Sequence, residues 1–77
     1  GIVAPVAAVA KDAEGNYVFV LQKDSASNYR VEKRSILVGD LFTEGFEIES
    51  GLEENELVAT AGLSFLSDGM KVKLLEE

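Results

Sequence analysis

The chain lacks several of the residue types on which protein chemistry most often depends. Its 77 residues include no cysteine, no histidine and no tryptophan, and only one proline. Without cysteine the chain can form no disulfide, and it carries no thiolate to act as a nucleophile or metal ligand. Without histidine it lacks the usual metal ligand and the usual general base near neutral pH. Together these absences argue against an enzyme.

Positive charge is also scarce. Seven Lys and Arg stand against fourteen Asp and Glu, which gives a formal net charge of −7. This charge would repel nucleic-acid phosphates and anionic lipid head groups, so neither is expected as a partner, and a barrel that binds RNA is disfavoured. The apolar fraction of 47% is typical of a globular protein and argues against disorder.

The length of the chain allows one small domain with a thin core. No apolar run approaches the roughly 20 residues that are needed to cross a bilayer. The chain begins at Gly1 and Ile2 without an initiator methionine, already inside an apolar stretch. We therefore expect residues 1–77 to be a single domain taken from a longer protein.

Short apolar runs separated by turn signals recur along the chain and predict an all-β fold. The predicted strands cover residues 2–9, 17–21, 29–38, 46–49, 57–60 and 70–74. A polar loop is predicted over residues 24–28, and one helical turn over residues 64–67. The sequence thus predicts a small antiparallel β-roll or barrel of about six strands with at most one short helical turn.

Three strands carry more specific signals. Pro5 cannot donate to a sheet ladder, so the first strand is expected to lie at an edge or to break there. The run 17–21 is apolar on both faces, which predicts a central strand. Within residues 29–38, Tyr29 and Val31 share one face whereas Ile36 and Val38 share the other, and a bulge near residues 33–35 is predicted to reconcile the two halves. Gly15 and Asn16 can both take positive φ in the turn before residue 17.

The acidic turns do not predict a metal or catalytic site. Residues 12–16 are superficially similar to a calcium loop, but positions six and twelve from Asp12 hold Tyr17 and Lys23 instead of Gly and Glu. A hairpin turn is expected there. Paired-carboxylate catalysis requires distinct environments for the two groups. The cluster of three carboxylates in residues 53–56 is therefore expected to be a solvated turn.

Phe65 and Leu66 are the most informative apolar residues. They fall in a short turn segment in which Leu63 can cover only part of them. Burial of such side chains is worth about 1.5–3 kcal/mol each, so something should cover them. Either they pack back under the roll, or, together with Asp68, they form a patch that contacts a partner.

Lys33 allows an alternative function. Lipoyl and biotinyl carrier domains are acidic β-rolls of about this length, with a modified lysine at a central hairpin tip. Lys33 is roughly central, but it lies within a strand pattern, and its neighbours do not match the usual carrier motifs. A solvent-facing strand lysine is the preferred interpretation, and a carrier with Lys33 as its attachment site is the alternative.

Six stretches in order resemble a known family, the C-terminal, membrane-proximal domain of periplasmic adaptor subunits (membrane fusion proteins) of RND-type multidrug efflux pumps. The matching stretches are residues 4–9, 12–20, 31–39, 46–52, 57–62 and 63–72. Two departures are visible, because Asn55-Glu56 stands where the family commonly has Gly-Asp, and Ser35 where it often has Pro. Asn tolerates left-handed geometry, so the turn at Asn55 can survive.

The resemblance implies a non-enzymatic role without a cofactor. Such adaptors are typically anchored to the inner membrane of Gram-negative bacteria and extend through the periplasm. The resemblance implies that this domain packs on an inner-membrane efflux transporter and contacts other domains and copies of the adaptor. The parent protein would also reach an outer-membrane channel. It further implies that a strand from near the N-terminus of the adaptor completes the domain.

Overall fold

The computed structural model describes residues 1–25 and 28–73. The described residues form eight antiparallel strands and two short 3₁₀ helices, which confirms the all-β class. The strands are β1 (Ile2–Ala4), β2 (Ala10–Asp12), β3 (Gly15–Ser25), β4 (Asn28–Ser35), β5 (Leu37–Phe42), β6 (Gly45–Ser50), β7 (Leu57–Val58) and β8 (Lys71–Lys73). The 3₁₀ helices are Val6–Ala8 and Leu63–Phe65. Within the described ranges, no helix has the length and apolarity needed to cross a bilayer.

The larger sheet has five strands and is built around β3. Four of its strands follow the order β2-β3-β4-β8, and β7 also pairs with β3. β4 pairs with β3 along nearly its whole length, so β2 and β7 share the opposite edge of β3. The prediction of a central strand at 17–21 is confirmed, because Val18, Phe19 and Val20 are all buried.

The smaller sheet has three strands in the order β1-β6-β5. Its central strand, β6, places Ile48 opposite both Ile2 of β1 and Val38 of β5. The core lies where the two sheets meet, and it consists of Ala4, Val18, Val20, Ile36 and Ile48. No polar or charged residue of the described ranges is fully buried, so this thin core is entirely apolar.

The structure has eight strands instead of six, because one predicted strand is divided and β2, at Ala10–Asp12, lies outside the predicted strands. Pro5 breaks the first run as predicted: the N–H of Ala8 donates to the Pro5 carbonyl at 2.9 Å, and the 3₁₀ helix separates β1 from β2. The predicted strand 29–38 is divided at Ile36, because β4 and β5 belong to different sheets. The N–H of Ile36 donates instead to the Asn16 carbonyl at 3.1 Å.

The predicted bulge near residues 33–35 is therefore wrong. Pairing runs without a shift from Tyr17 opposite Ser35 to Phe19 opposite Lys33. The change of face arises because Ile36 leaves one sheet and enters the core before β5 joins the other sheet. A crossover between sheets and a bulge produce the same change of parity in a sequence, so the pattern alone cannot distinguish them.

The turns differ from the predictions in detail. Gly15 has a φ of 122°, as expected, whereas Asn16 does not adopt positive φ. Asn55 has a positive φ of 70°, which confirms that the turn before β7 keeps its left-handed residue. The predicted helical turn is found at Leu63–Phe65, and the second 3₁₀ helix, at Val6–Ala8, was not predicted. β3 extends through residue 25 into the predicted loop; residues 26–27 of that loop and residue 74 of the last predicted strand lie outside the described residues.

Candidate docking surface

An apolar groove of about 330 Å³ opens on the five-stranded sheet beside the 3₁₀ helix Leu63–Phe65. Leu21, Leu66, Val72 and the segment 57–61 line it. Successive strand residues point to opposite faces, so Leu21 faces away from the core that its neighbour Val20 enters. The segment 57–61 is held against β3, because the Ala59 N–H donates to the Phe19 carbonyl at 2.9 Å beyond the end of β7.

Phe65 projects from the molecule next to this groove. The residue is 79% exposed, the highest value among the large apolar residues that are exposed. Gly62, at a φ of 66°, opens the 3₁₀ helix, and the Leu66 N–H closes it on the Leu63 carbonyl at 3.1 Å. Residues three apart align in a 3₁₀ helix, so Leu63 and Leu66 share the half-buried side. Of the two interpretations left open, Leu66 packs against the roll and Phe65 does not.

Asp68 has a structural partner that sequence reasoning missed. Its Oδ1 accepts a hydrogen bond from the Lys33 N–H at 2.9 Å. Beside it, the Gly69 N–H donates to the Val31 carbonyl at 2.7 Å, and the Val31 N–H donates to the Met70 carbonyl at 2.8 Å. Asp68 thus extends the β8 ladder along β4 with a side-chain oxygen in place of a backbone carbonyl. It is exposed, but it is not among the described residues that line the groove.

The positive charges of the described residues are confined to the five-stranded sheet, whose strands also carry Asp12, Asp24 and Glu32. All seven Lys and Arg lie on strands of the five-stranded sheet, at positions 11, 23, 30, 33, 34, 71 and 73. The strands of the three-stranded sheet carry Asp40, Glu47 and Glu49 and no basic residue. Lys73 is the charged residue among those described as lining the groove. One positively charged side chain therefore lies at the groove, on a protein of negative net charge.

Lys33 lies in the middle of β4, opposite Phe19, and not at a hairpin tip. Its Nζ forms an ion pair with Asp12 Oδ2 at 2.8 Å and lies 4.4 Å from the centroid of the Tyr17 ring. The hydrogen bond from Lys33 lowers the pKa of Asp12, with help from the Glu14 N–H, and the same bond raises the pKa of Lys33. The prediction of an exposed strand lysine is confirmed, and the geometry offers no support for a carrier attachment site.

Arg34 ties the loop before β7 to the sheet. Its guanidinium donates to Glu32 Oε1 at 2.7 Å, to Glu56 Oε1, and to the Gly51 carbonyl at 3.3 Å. The pKa of Glu56 is lowered, first by the hydrogen bond from the Glu53 N–H and then by Arg34. The prediction that this turn is wholly solvated is wrong for Glu56, whose side chain is only 22% exposed. No group of three or more potential ligands among the described residues could hold a metal ion.

A second group of exposed apolar side chains was missed by sequence reasoning. It lies on and around the three-stranded sheet and comprises Val3, Val6, Leu37, Leu41 and Phe42. β5 is an edge strand with two register shifts against β6, which prevents its apolar residues from sharing one buried face. The run 36–42, apolar apart from Gly39 and Asp40, contained the signal, because one edge strand cannot bury all five of its apolar residues.

Comparison with known proteins identifies relatives of the chain. Residues 1–64 match the family of RND membrane fusion proteins, C-terminal permuted SH3 domain. The chain is 33% identical over 75 residues to the multidrug resistance protein MdtA of Cronobacter turicensis, which covers 97% of this chain and 17% of the relative. It is 34% identical over 74 residues to MdtA of Yersinia pseudotuberculosis, covering 96% of this chain and 16% of that relative. No solved structure matches.

The family match covers more than half of the chain, and the relatives align with almost all of it. The chain spans about a sixth of the length of the curated relatives it matches. Proteins of this family are adaptors, not enzymes, which agrees with the absence of histidine and cysteine. The chain belongs to the RND membrane fusion protein family, as its C-terminal permuted SH3 domain.

Proposed function

We propose that this domain docks a periplasmic adaptor on the periplasmic part of an inner-membrane RND-type transporter and so couples that transporter to an outer-membrane channel. Family membership supports the adaptor role. The observation that carries the docking proposal is Phe65, which is 79% exposed at the end of a short 3₁₀ helix and next to an apolar groove. Monomeric proteins rarely leave such a side chain uncovered beside further apolar surface without a partner for it.

The mechanism of docking follows from the geometry. The short 3₁₀ helix holds Phe65 outward while Leu66 anchors it to the roll, so little conformational freedom is lost on binding. Burial of one such aromatic side chain contributes about 1.5–3 kcal/mol. Charged residues near the patch, Asp68 among them, set orientation and association rate more than affinity.

The same proposal includes the location of the domain and its other contacts. The parent adaptor lies in the periplasm of a Gram-negative bacterium and is anchored to the inner membrane. There the domain also contacts other domains and other copies of the adaptor. β1 and β5 are the two edges of the three-stranded sheet. A strand from the N-terminal part of the adaptor pairs with one of these edges and completes the domain.

The test is association of the parent adaptor with its transporter. Phe65→Ser should reduce co-purification of the transporter at unchanged adaptor level, because the mostly exposed ring has little packing to lose in the free domain. Adding Leu66→Ser should reduce it further, but Leu66 is half-buried, so the melting temperature of that variant must be measured in parallel.

Phe42→Ser is the matched control, since Phe42 is exposed on the other sheet. It should leave the transporter bound. Retention of the transporter by Phe65→Ser, or its equal loss from both variants, would contradict the proposed docking surface.

A further inference from the structure

The groove beside Phe65 has a composition that restricts what can occupy it. Its volume of about 330 Å³ lies near the lower end of the range for ligand pockets, which suits a few apolar side chains of a peptide. Of the described residues that line it, Thr60 and Lys73 are polar and the rest are apolar. An occupant therefore needs apolar side chains with a negative charge beside them.

The sheet around Lys73 adds further positive charge. Lys23 of β3 lies at the same end of the sheet, two residues along from Leu21 and therefore on the same face as the groove. Lys71 lies two residues from Lys73 on β8, opposite Arg30 of β4, and both lysines alternate to the face opposite Val72. Arg30 approaches Asp24 at 4.0 Å, whereas neither Lys71 nor Lys73 has an ion pair within residues 1–25 and 28–73. These cations are open to a partner.

The rest of the molecule has the opposite sign. The net charge is −7, and the strands of the three-stranded sheet carry carboxylates without a basic residue. An acidic segment that approaches this protein is repelled over most of its surface and attracted at the groove. Charge of this kind selects the partner and its orientation.

We propose that the groove binds a segment of a partner protein in which apolar side chains are flanked by Asp or Glu, with a carboxylate paired to Lys73. The inference rests on the proposed function, since it specifies the chemistry of the partner surface that meets Phe65. The apolar side chains enter the groove between Leu66 and the segment 57–61. The carboxylates lie over β8.

Two short synthetic peptides test the proposal on the 77-residue chain. Both contain a leucine pair, flanked by aspartates in one and by lysines in the other. The aspartate peptide should shift the amide resonances of residues 57–61 and Val72, and its Kd should rise with salt. Lys73→Glu should weaken binding of the aspartate peptide on the order of fivefold. Lys11→Glu makes the same charge change on β2 and should leave the Kd unchanged.

Equal binding of the two peptides, or equal weakening by both variants, would overturn the inference. A chain that ends at Lys73 provides a further arm: if only the shortened chain binds the aspartate peptide, residues 74–77 are the occupant and the proposal is wrong. Failure of these tests while Phe65→Ser still loses the transporter would refute the groove chemistry alone. Retention of the transporter by Phe65→Ser would refute the docking function, whatever the peptides do.

Discussion

At the scale of single residues, Arg34 connects the most parts of the molecule. It bonds to a neighbour on its own strand, to Glu56 and to the Gly51 carbonyl, and its side chain is only 23% exposed. Arg34→Met should lower the free energy of unfolding by about 1–2 kcal/mol, because Glu56 and the Gly51 carbonyl lose a donor. Urea denaturation measures this. Lys11→Met, at an exposed cation of the same sheet, should change it by less than about 0.5 kcal/mol, and an equal loss in both would contradict the role of Arg34.

Glu56 gives the domain a pH dependence of known sign. Its pKa lies below the usual 4.5 in the folded chain, because the Glu53 N–H and Arg34 stabilise the carboxylate. The stabilisation is present above the unfolded-state value and is lost as the pH falls through the folded value. We expect the urea midpoint of the wild-type domain to decrease when the pH is lowered below about 4.5. The midpoint of Glu56→Gln should decrease less over the same pH range. Glu54→Gln, at an exposed neighbour, should show the same decrease in urea midpoint as the wild type. If Glu56→Gln also shows that decrease, the pH dependence does not come from Glu56.

The Asp12–Lys33 pair makes a third prediction at this scale. The carboxylate of Asp12 raises the pKa of Lys33 above the usual 10.5. Asp12→Asn removes the ion pair, so the pKa of Lys33 should move down towards that value, as followed by NMR titration of the lysine side chain. Asp40→Asn removes the same charge from the other sheet and should leave the pKa of Lys33 unchanged. If the pKa of Lys33 is the same in Asp12→Asn as in the wild type, the ion pair between Asp12 and Lys33 is contradicted.

At the scale of elements, the start of β6 depends on a glycine. Gly45 has a φ of 145°, and a Cβ there would lie 2.1 Å from the Ala4 carbonyl oxygen of β1. Gly45→Ala should therefore destabilise the domain through both the backbone conformation and a collision between neighbouring strands. Gly15→Ala is the control, since Gly15 also has positive φ but no atom within 4 Å of such a Cβ.

Gly15→Ala should lower the free energy of unfolding by about 1–2 kcal/mol, which is the penalty for the backbone conformation alone. Gly45→Ala should lower it clearly more in the same urea experiment. Equal losses would mean that β1 moves aside freely and that the β1–β6 contact does not constrain this part of the sheet.

The elements also show what the pattern of residues can predict. Alternation and turn signals located most of the strands, and the break at Pro5 followed from the chemistry of one residue. The division at Ile36 did not, because the sequence cannot say whether a change of face is a bulge or a passage between sheets. The two-residue strand β7 was predicted only as part of a longer run, since its extent depends on how much of the β3 edge β2 leaves free.

At the scale of the whole molecule, the parts that escaped prediction depend on residues far apart in the chain. Asp68 meets the Lys33 N–H across 35 positions, and Arg34 meets Glu56 across 22. Local patterns carry no record of such pairs. The sequence singles out Phe65 and Leu66 together, and only the three-residue spacing of the observed 3₁₀ helix separates the exposed residue from the packed one. The confinement of the positive charges to one sheet likewise appears only once the topology is known.

The most direct test of the docking account is photo-cross-linking of the parent adaptor in its native membrane. A benzophenone amino acid replaces Phe65 in one variant and Phe42, exposed on the opposite sheet, in another. If Phe65 meets the transporter, position 65 gives a cross-link to it and position 42 gives a much weaker one. A transporter cross-link from position 42 alone would mean that docking occurs on the three-stranded sheet and not at Phe65.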